Sequence, residues 1–268
     1  MEINSDVAIY IPDKNDVIVP TDLSRGPWDP NAQHGGPSSA LLAHGIETHE
    51  PEPDMFVSRV TVELLRPVPI RPLRFSTRTI RPGKRVQLIE STLHDGDIEV
   101  ARAVGLRTRK AELDETPPTP ESGGPELPAT GEVSWGDWDM PDKSFITHAV
   151  ELRPITMGMM GSPGRGTVWF RARVPLVAGM PLGPVARVLM AADAQGGMSS
   201  VLNYATYTFI NPDLTVYLHR VPNGEWICLD AQTWIDTGGT GMAESVLYDE
   251  QGRIGRGAQA LSIGRRSF

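Results

Sequence analysis

The sequence lacks several features that mark common classes of protein. It has one cysteine, Cys228, in 268 residues, so neither an intramolecular disulfide nor a cysteine-rich zinc site can form. Lys and Arg form no run and the net charge is −8, which argues against a nucleic-acid-binding surface built from clustered cations. The histidines show no metal-ligand spacing, so no metal is expected.

Long hydrophobic runs are also missing. The most apolar long window, VPLVAGMPLGPVARVLMAA at 174–192, contains three prolines and an arginine, which excludes a membrane span. The opening MEINSDVAIYIPDKND has early acidic residues and no apolar core, unlike a signal peptide. With 40% hydrophobic and 22% charged residues, the composition is that of an ordinary globular protein. We therefore expect a cytoplasmic protein with a proper core.

A proline-rich and acidic segment divides the chain. Residues 110–145 carry six prolines and show no sustained period of 2 or 3.6, which is typical of a linker. Trp135 and Trp138 predict that the end of this linker packs on a folded surface. The expected organisation is an N-terminal unit over 1–110, a linker over 111–145 and a C-terminal unit over 146–268.

The two units share short segments in the same order. VTVELLR at 60–66 matches LTVYLHR at 214–220, and IEVARAV at 98–104 matches GRIGRGA at 252–258, both at an offset of 154. GGPSSAL at 35–41 matches GGMSSVL at 196–202 at an offset of 161, as if the first copy had about seven extra residues between its helix and its next strand. An internal duplication is the simplest explanation of these matches.

Each copy is predicted to be one helix followed by antiparallel strands. VTVELL and LTVYLH alternate apolar and polar residues with the period of a half-buried strand. Three further strands follow in each copy, joined at PGK and HDGD in the first and at TGGTG and DEQG in the second. SSALLAHGIETH and PVARVLMAADAQGGMSSVLN are the predicted helical segments. The pattern indicates an α+β fold in which each sheet is covered by a helix.

These segments resemble the thioesterase superfamily. WDPNAQHGGPSSALLAHGIE is similar to its helix entry, and VLMAADAQGG, FINPDLTVYLHR and YDEQGRIGRGAQALSI are similar, in order, to the C-terminal half of acyl-CoA thioesterase II proteins. The resemblance implies a double hot-dog fold, in which two tandem copies of a central helix are wrapped by an antiparallel β-sheet. It also implies a thioesterase that hydrolyses acyl-CoA or a related acyl thioester without a cofactor, and by analogy a homo-oligomer.

The resemblance also implies a set of site residues. Family members activate water with an Asp on the second helix, a Thr or Ser on the next strand and a Gln on the last strand. These positions correspond to Asp193, Asn211 and Gln259, with Asn211 departing from the family hydroxyl. In the first copy the aligned residues are Ala32, Val57 and Gly105, so the polar set occurs only once.

Chemistry suggests a role for each candidate. The Asp193 carboxylate is the candidate base, and the amides of Asn211 and Gln259 would hold the water. The backbone N–H groups of Gly35 and Gly36, at a helix start, would stabilise the oxyanion. His34 precedes this Gly pair and is a candidate substrate-binding residue.

Other interpretations remain open. A hot-dog protein whose site has decayed would bind acyl-CoA or lipid without turnover, and Asn211 favours that alternative. Each Gly pair can equally be a close packing point between helix and sheet, and His34 a backbone hydrogen bonder. Cys228 alternates with apolar residues and is predicted to lie in the core rather than act as a nucleophile. For phosphates on the substrate carrier, Arg66, Arg102, Arg220 and Arg256 are the candidates.

Overall fold

A computed structural model describes residues 8–115, 123–135, 140–141 and 143–266. Trp138, predicted to anchor the linker, lies outside these residues. The first part of the chain forms four long strands, two short ones and a helix. They are β1 (Tyr10–Pro12), β2 (Val17–Pro20), α1 (Gly35–Thr48), β3 (Met55–Leu64), β4 (Leu73–Arg81), β5 (Val86–Asp95) and β6 (Ile98–Arg109).

The second part repeats this order with an interrupted helix and an interrupted strand. After a π-helical turn at Phe145–Ala149, its elements are β7 (Val150–Thr156), β8 (Arg165–Ala172), α2 (Pro184–Ala192), α3 (Gln195–Met198), β9 (Tyr207–Ile210), β10 (Asp213–Leu218), β11 (Trp226–Ile235), β12 (Thr240–Asp249) and β13 (Gly252–Arg265). The predicted strands and hairpins are therefore present in both copies. Among the described residues, none of the helices has the length and apolarity needed to cross a lipid bilayer.

In the described chain all strands belong to one sheet with an internal two-fold pattern. Its order is β1-β2-β4-β5-β6-β3-β10-β13-β12-β11-β8-β7, and β9 also pairs with β13. The repeated segments meet at the centre, where β3 and β10 are antiparallel and Thr61 lies opposite Thr215. The hydroxyls of this pair, 154 residues apart, are hydrogen-bonded at 3.3 Å. The duplication read from the sequence is therefore a structural pseudo-symmetry centred on this pair.

The two main helices lie on the inner face of the sheet and pack against each other. α1 is buried almost all round, because it packs against both α2 and the strands of the sheet. α2 begins with Pro184 after Gly183, because proline lacks the N–H that the first turn cannot use. Leu41 of α1, Leu189 of α2 and strand residues from both halves form one continuous core.

The second helical segment differs from the prediction. α2 ends at Ala192, and α3 is a single turn that ends at Met198, so residues 199–203 are not helical. Gly196 and Gly197 lie inside α3 rather than at the start of the central helix, and two adjacent glycines support a longer helix poorly. The extra residues between helix and strand are therefore in the second copy, where α3 and the following turn were inserted.

The linker lies against the second half where it is described. Leu127 packs on a cluster of Trp169, Trp226 and Cys228 on the sheet. Trp135 packs against the main core, which agrees with its predicted anchoring role. Burial in this aromatic cluster raises the pKa of the Cys228 thiol, which confirms Cys228 as a core residue.

Candidate active site

Asp193 follows the last residue of α2 and points at the start of α1. Its side chain is 2% exposed, although it carries a carboxylate. A Cβ atom added to Gly35 would lie 2.4 Å from Oδ1 of Asp193, so only glycine allows this approach. The N-terminus of α1 carries partial positive charge, which favours a carboxylate at this point.

His34 caps α1 and is the second neighbour of this carboxylate. Its Nδ1 accepts a hydrogen bond from the N–H of Gly36 at 2.9 Å and also lies 3.0 Å from Oδ2 of Asp193. One ring nitrogen cannot do both at once, because it either carries a proton and donates or lacks one and accepts. The ring of Phe145 packs against His34, with centroids 4.9 Å apart. The imidazole therefore bridges the helix start and Asp193, and its tautomer selects the partner.

Asn211 reaches the carboxylate from the break between β9 and β10. Its Nδ2 donates to Oδ1 of Asp193 at 2.8 Å and to the carbonyl oxygen of Asp213 at 3.3 Å. The break occurs at Pro212, which has no N–H to continue the strand ladder. Both carboxylate oxygens of Asp193 thus have a side-chain neighbour, one from each half of the chain.

Gln259 lies on β13 and is also buried, but it contacts main chain rather than the carboxylate. In the amide orientation that satisfies both neighbours, Nε2 donates to the carbonyl oxygen of Asp193 at 3.3 Å. Its Oε1 then accepts from the N–H of Gly196 at 3.2 Å. Gln259 therefore holds the link between α2 and α3, which differs from the water-holding role expected from the sequence.

The two glycines before α1 are not equivalent. The N–H of Gly36 is engaged by His34, and Gly36 itself is needed for packing, since an added Cβ would lie 2.8 Å from the Met190 carbonyl oxygen. The N–H of Gly35 has no hydrogen-bond partner among the described residues. When His34 Nδ1 accepts from Gly36, Gly35 is the one of the two glycines that retains a donor for a ligand, and a role for both N–H groups stays a prediction.

These residues meet at a cavity of about 550 Å³. Its wall includes His34, Gly35, Asp193, Asn211 and Gln259, whereas Gly36 is not part of the wall. The structure therefore brings five of the six sequence-predicted residues to one space, from four separate segments of chain. Within the described residues, no three His, Cys, Asp or Glu side chains are grouped as a metal would require.

Sequence reasoning missed the aromatic wall of this cavity. Trp28 stacks on Tyr204 with ring centroids 5.8 Å apart, and Tyr204 lies 5.3 Å from Phe209. All three rings line the cavity, together with Trp135. The short segment YATYTF was a local signal, but nothing in the sequence places Trp28 beside it, about 175 residues away. The hydroxyl of Tyr204 donates to the Gly197 carbonyl, which attaches this wall to α3.

Comparison with known proteins agrees with this architecture. Two helices within one pseudo-symmetric antiparallel sheet define a double hot-dog protein. A hot-dog protein of unknown function from Alicyclobacillus acidocaldarius superposes with a TM-score of 0.70 at 13% identity, covering 100% of both chains. A proposed thioesterase II from Thermobifida fusca gives 0.71 at 17% identity, covering 98% of each chain. An acyl-CoA thioesterase II from Mycobacterium marinum gives 0.66 at 15% identity, covering 96% of each.

Family models identify the chain more closely. The acyl-CoA thioesterase N-terminal domain matches residues 24–108, and the acyl-CoA thioesterase C-terminal domain matches residues 114–263. The chain therefore belongs to the acyl-CoA thioesterase family. A search of curated protein sequences finds no significant match.

Proposed function

We propose that the protein hydrolyses acyl thioesters, with acyl-CoA as the substrate class, to a free acid and a thiol. One observation carries the proposal. The buried carboxylate of Asp193 forms part of the wall of a largely apolar cavity, directly against Gly35, whose N–H lacks a partner in the described chain. A base and an oxyanion donor are the two groups that water attack on a thioester needs.

The reaction follows from this pair of groups. Asp193 accepts a proton from a water molecule as the water oxygen bonds to the thioester carbonyl carbon. The N–H of Gly35, helped by the positive end of α1, stabilises the oxyanion that develops. Collapse of this intermediate breaks the carbon–sulfur bond, and the departing thiolate takes up the proton held by Asp193. The products are a carboxylic acid and a thiol.

The neighbouring residues orient the base. Nδ2 of Asn211 donates a hydrogen bond to Oδ1 of Asp193. The side-chain oxygen of Asn211, Oδ1, makes no hydrogen bond among the described residues and can accept one from the water. Gln259 fixes the main chain on the far side of Asp193, so we assign it a positioning role. His34 holds Oδ2 when its Nδ1 is protonated, and a substrate that displaces this contact frees the oxygen to act as a base.

The aromatic wall suits the acyl group. Trp28, Trp135, Tyr204 and Phe209 offer a large apolar surface that an acyl chain can bury. Buried apolar area contributes roughly 25 cal/mol per Å², so binding of the chain would provide most of the affinity. We expect substitution of these residues to change acyl-chain preference more than the chemical step.

A second candidate function is binding without turnover. Both oxygens of Asp193 already have neighbours, and the Thr or Ser typical of the family is Asn211 in this chain. A carboxylate that is fully engaged orients a ligand well but is a weaker base. In that case the cavity would bind acyl-CoA or a lipid and release no thiol.

Thiol release from a panel of acyl-CoA substrates, measured for the wild type and Asp193→Asn, tests the proposal. The amide keeps the shape of the carboxylate and cannot take the proton, so we expect kcat to fall by about 100-fold or more. Asp230→Asn, on the exposed face of β11, is the matched control and should keep wild-type turnover. Unchanged turnover in Asp193→Asn would remove this residue from the mechanism. Tight binding by the wild type without any thiol release would instead support the binding function.

We also propose unit boundaries at 1–110, 111–145 and 146–268, a cytoplasmic location, and assembly into a homo-oligomer. Analytical ultracentrifugation of the purified chain would test the last of these.

A further inference from the structure

The arginines considered for carrier recognition fall into two groups. Arg102 pairs with Glu63, Arg220 with Asp249 and Arg256 with Glu244, so each of these guanidinium groups is already neutralised. Arg66 makes no ion pair with any described residue. It is also the one cationic residue in the wall of the 550 Å³ cavity as described. A charge of this kind is available for a ligand.

The backbone around Arg66 is fixed, whereas its side chain is exposed. Arg66 follows β3, and both its N–H and that of Leu65 donate to the carbonyl oxygen of Val100, at 3.1 and 3.0 Å. Pro67 follows directly and restricts the backbone further. Leu65 is 46% exposed and lies in the same cavity wall, which places this segment at the open end of the cavity. The backbone that carries Arg66 is thus fixed at the mouth, and its exposed side chain remains available to a ligand.

A second arginine lies beside the aromatic part of the cavity wall. Arg266, just past the end of β13, donates to the carbonyl oxygen of Pro27 at 3.1 Å, and its guanidinium lies 5.5 Å from the ring centroid of Trp28. Pro27 and Trp28 both line the cavity. Asp29 is an opposing charge in this wall, and its carboxylate accepts from the N–H of Asn31 at 2.8 Å. Arg266 therefore adds a second cationic group beside the cavity wall of this acidic protein, while Arg66 is the one that forms part of that wall.

We infer that Arg66 binds a phosphate of a phosphopantetheine-type carrier while the thioester lies at Asp193. The inference rests on the proposed function and assigns the two ends of the same cavity. The inner aromatic end takes the acyl group, and the cationic mouth takes the carrier. A guanidinium presents paired N–H donors that match phosphate oxygens, and such charge-assisted bonds are stronger than neutral ones. Acyl-CoA and an acyl carrier protein share the phosphate attached to pantetheine, whereas the nucleotide phosphates belong to CoA alone.

The test compares a carrier that has a nucleotide with its phosphates, a carrier with a single phosphate, and a carrier with none. The same acyl group is presented on CoA, on 4′-phosphopantetheine and on pantetheine, and kcat and KM are measured for the wild type, Arg66→Ala and Arg66→Lys. We expect Arg66→Ala to raise KM about tenfold for a carrier whose phosphate it binds, with kcat unchanged, and to leave the pantetheine thioester unaffected. Arg66→Lys should restore part of the loss. Arg85→Ala, an exposed arginine on the β4–β5 turn, should resemble the wild type.

The carrier series also identifies the phosphate. An effect with CoA and 4′-phosphopantetheine alike points to the phosphate shared with acyl carrier protein, and an effect with CoA alone points to its nucleotide phosphates. Equal losses on all three carriers, or equal wild-type KM values for CoA and pantetheine thioesters, would overturn the inference and leave the proposed hydrolysis standing.

A binding measurement tests the role of Arg66 separately from the proposed hydrolysis, even if the protein shows no turnover. Calorimetric titration with CoA itself needs no hydrolysis, so a protein that releases no thiol still tests Arg66. Weaker CoA binding by Arg66→Ala than by Arg85→Ala would support the inference even then. Equal binding by the two variants would reject it.

Discussion

A glycine meets a carboxylate at each end of the central helix pair, and the two contacts differ in what surrounds the carboxylate. At one end Gly35, which starts α1, meets the carboxylate of Asp193 just after α2. At the other end Gly183, which precedes α2, meets the carboxylate of Glu47 near the end of α1. An added Cβ would lie 2.4 Å from a carboxylate oxygen in the first contact and 2.3 Å in the second. The helices are therefore antiparallel, and each start receives a carboxylate from the other helix.

The carboxylates differ in what satisfies them. Oε1 and Oε2 of Glu47 accept from the N–H groups of Val185 and Ala186, at 2.9 and 2.8 Å. Glu47 thus caps α2 through main chain, and its longer side chain makes this reach possible. Asp193 meets side chains instead, those of Asn211 and His34. Both carboxylates lie at the start of a helix. Glu47 caps α2, whereas Asp193 remains accessible to a ligand in the cavity.

The surroundings explain why only one contact opens to a large cavity. The counterparts of Asn211 and Gln259 in the first copy are Val57 and Gly105. Val57 is buried, and Ile46 fills the space beside Gly105, where an added Cβ would lie 2.3 Å from it. The cavity beside Glu47 measures about 160 Å³, compared with 550 Å³ beside Asp193. The fold thus keeps its pseudo-symmetry, while the amide side chains of Asn211 and Gln259 occur only at the contact between Asp193 and Gly35.

Adding a methyl group to each helix-start glycine should give the largest difference between the contacts. Gly35→Ala forces the Asp193 carboxylate to move, so we expect kcat to fall at least about tenfold, because misplaced catalytic groups are strongly penalised. Gly183→Ala displaces the flexible end of Glu47 and should keep kcat. Steady-state kinetics on one acyl-CoA would show this, and similar kcat values for the two variants would contradict it.

Replacing Asn211 by the residue found at the same position of the first copy tests whether this amide distinguishes the two contacts. Asn211→Val installs the residue of the first copy and removes the donor to Oδ1 of Asp193. We expect a loss in kcat of about tenfold or more, since a hydrogen bond to a charged group is worth roughly 1.5 kcal/mol or more. Asn211→Asp keeps the size but sets two carboxylates against each other, so it should be more damaging than Asn211→Val. The reverse order of activity would argue that Asn211 contacts substrate rather than orienting the base.

Removing the cap at the closed contact should affect stability alone. Glu47→Ala leaves the N–H groups of Val185 and Ala186 without their acceptors, which we expect to cost about 1–2 kcal/mol of unfolding free energy. Turnover of the folded variant should match the wild type. Urea denaturation followed by circular dichroism measures the first quantity, and a fall in kcat at full folding would contradict the separation of roles.

The loss of stability in Glu47→Ala should depend on pH in a defined direction. Burial raises the pKa of Glu47, with the capping N–H groups, Arg187 and Arg107 offsetting part of the rise. A raised pKa in the folded state means that the stabilisation is complete below the ordinary glutamate pKa and declines as the pH rises through the folded value. The stability difference between wild type and Glu47→Ala should therefore shrink from acidic to neutral pH. A difference that grows over this range would show that the ionised form is the favoured one.

Much of the fold could be predicted because its signals are local. The alternation in VTVELL and LTVYLH identified the strands that became β3 and β10, and their equal spacing predicted the duplication. The helix after Pro184 was predicted too long, because two glycines and a change of direction at Asp193 depend on packing rather than on propensity. The resemblance led to Asp193, Asn211 and Gln259, and all three line one cavity.

By itself the sequence determined the periodic pattern of each copy, the presence of two copies and the single occurrence of the polar set, since all three are properties of neighbouring or regularly spaced residues. Only the tertiary structure decided which groups touch. His34 lies 159 positions from Asp193, Glu47 caps a helix of the other half, and Gln259 turns to main chain. Contacts between residues so far apart in the sequence depend on how the two helices pack inside one sheet, and no local sequence pattern specifies that packing.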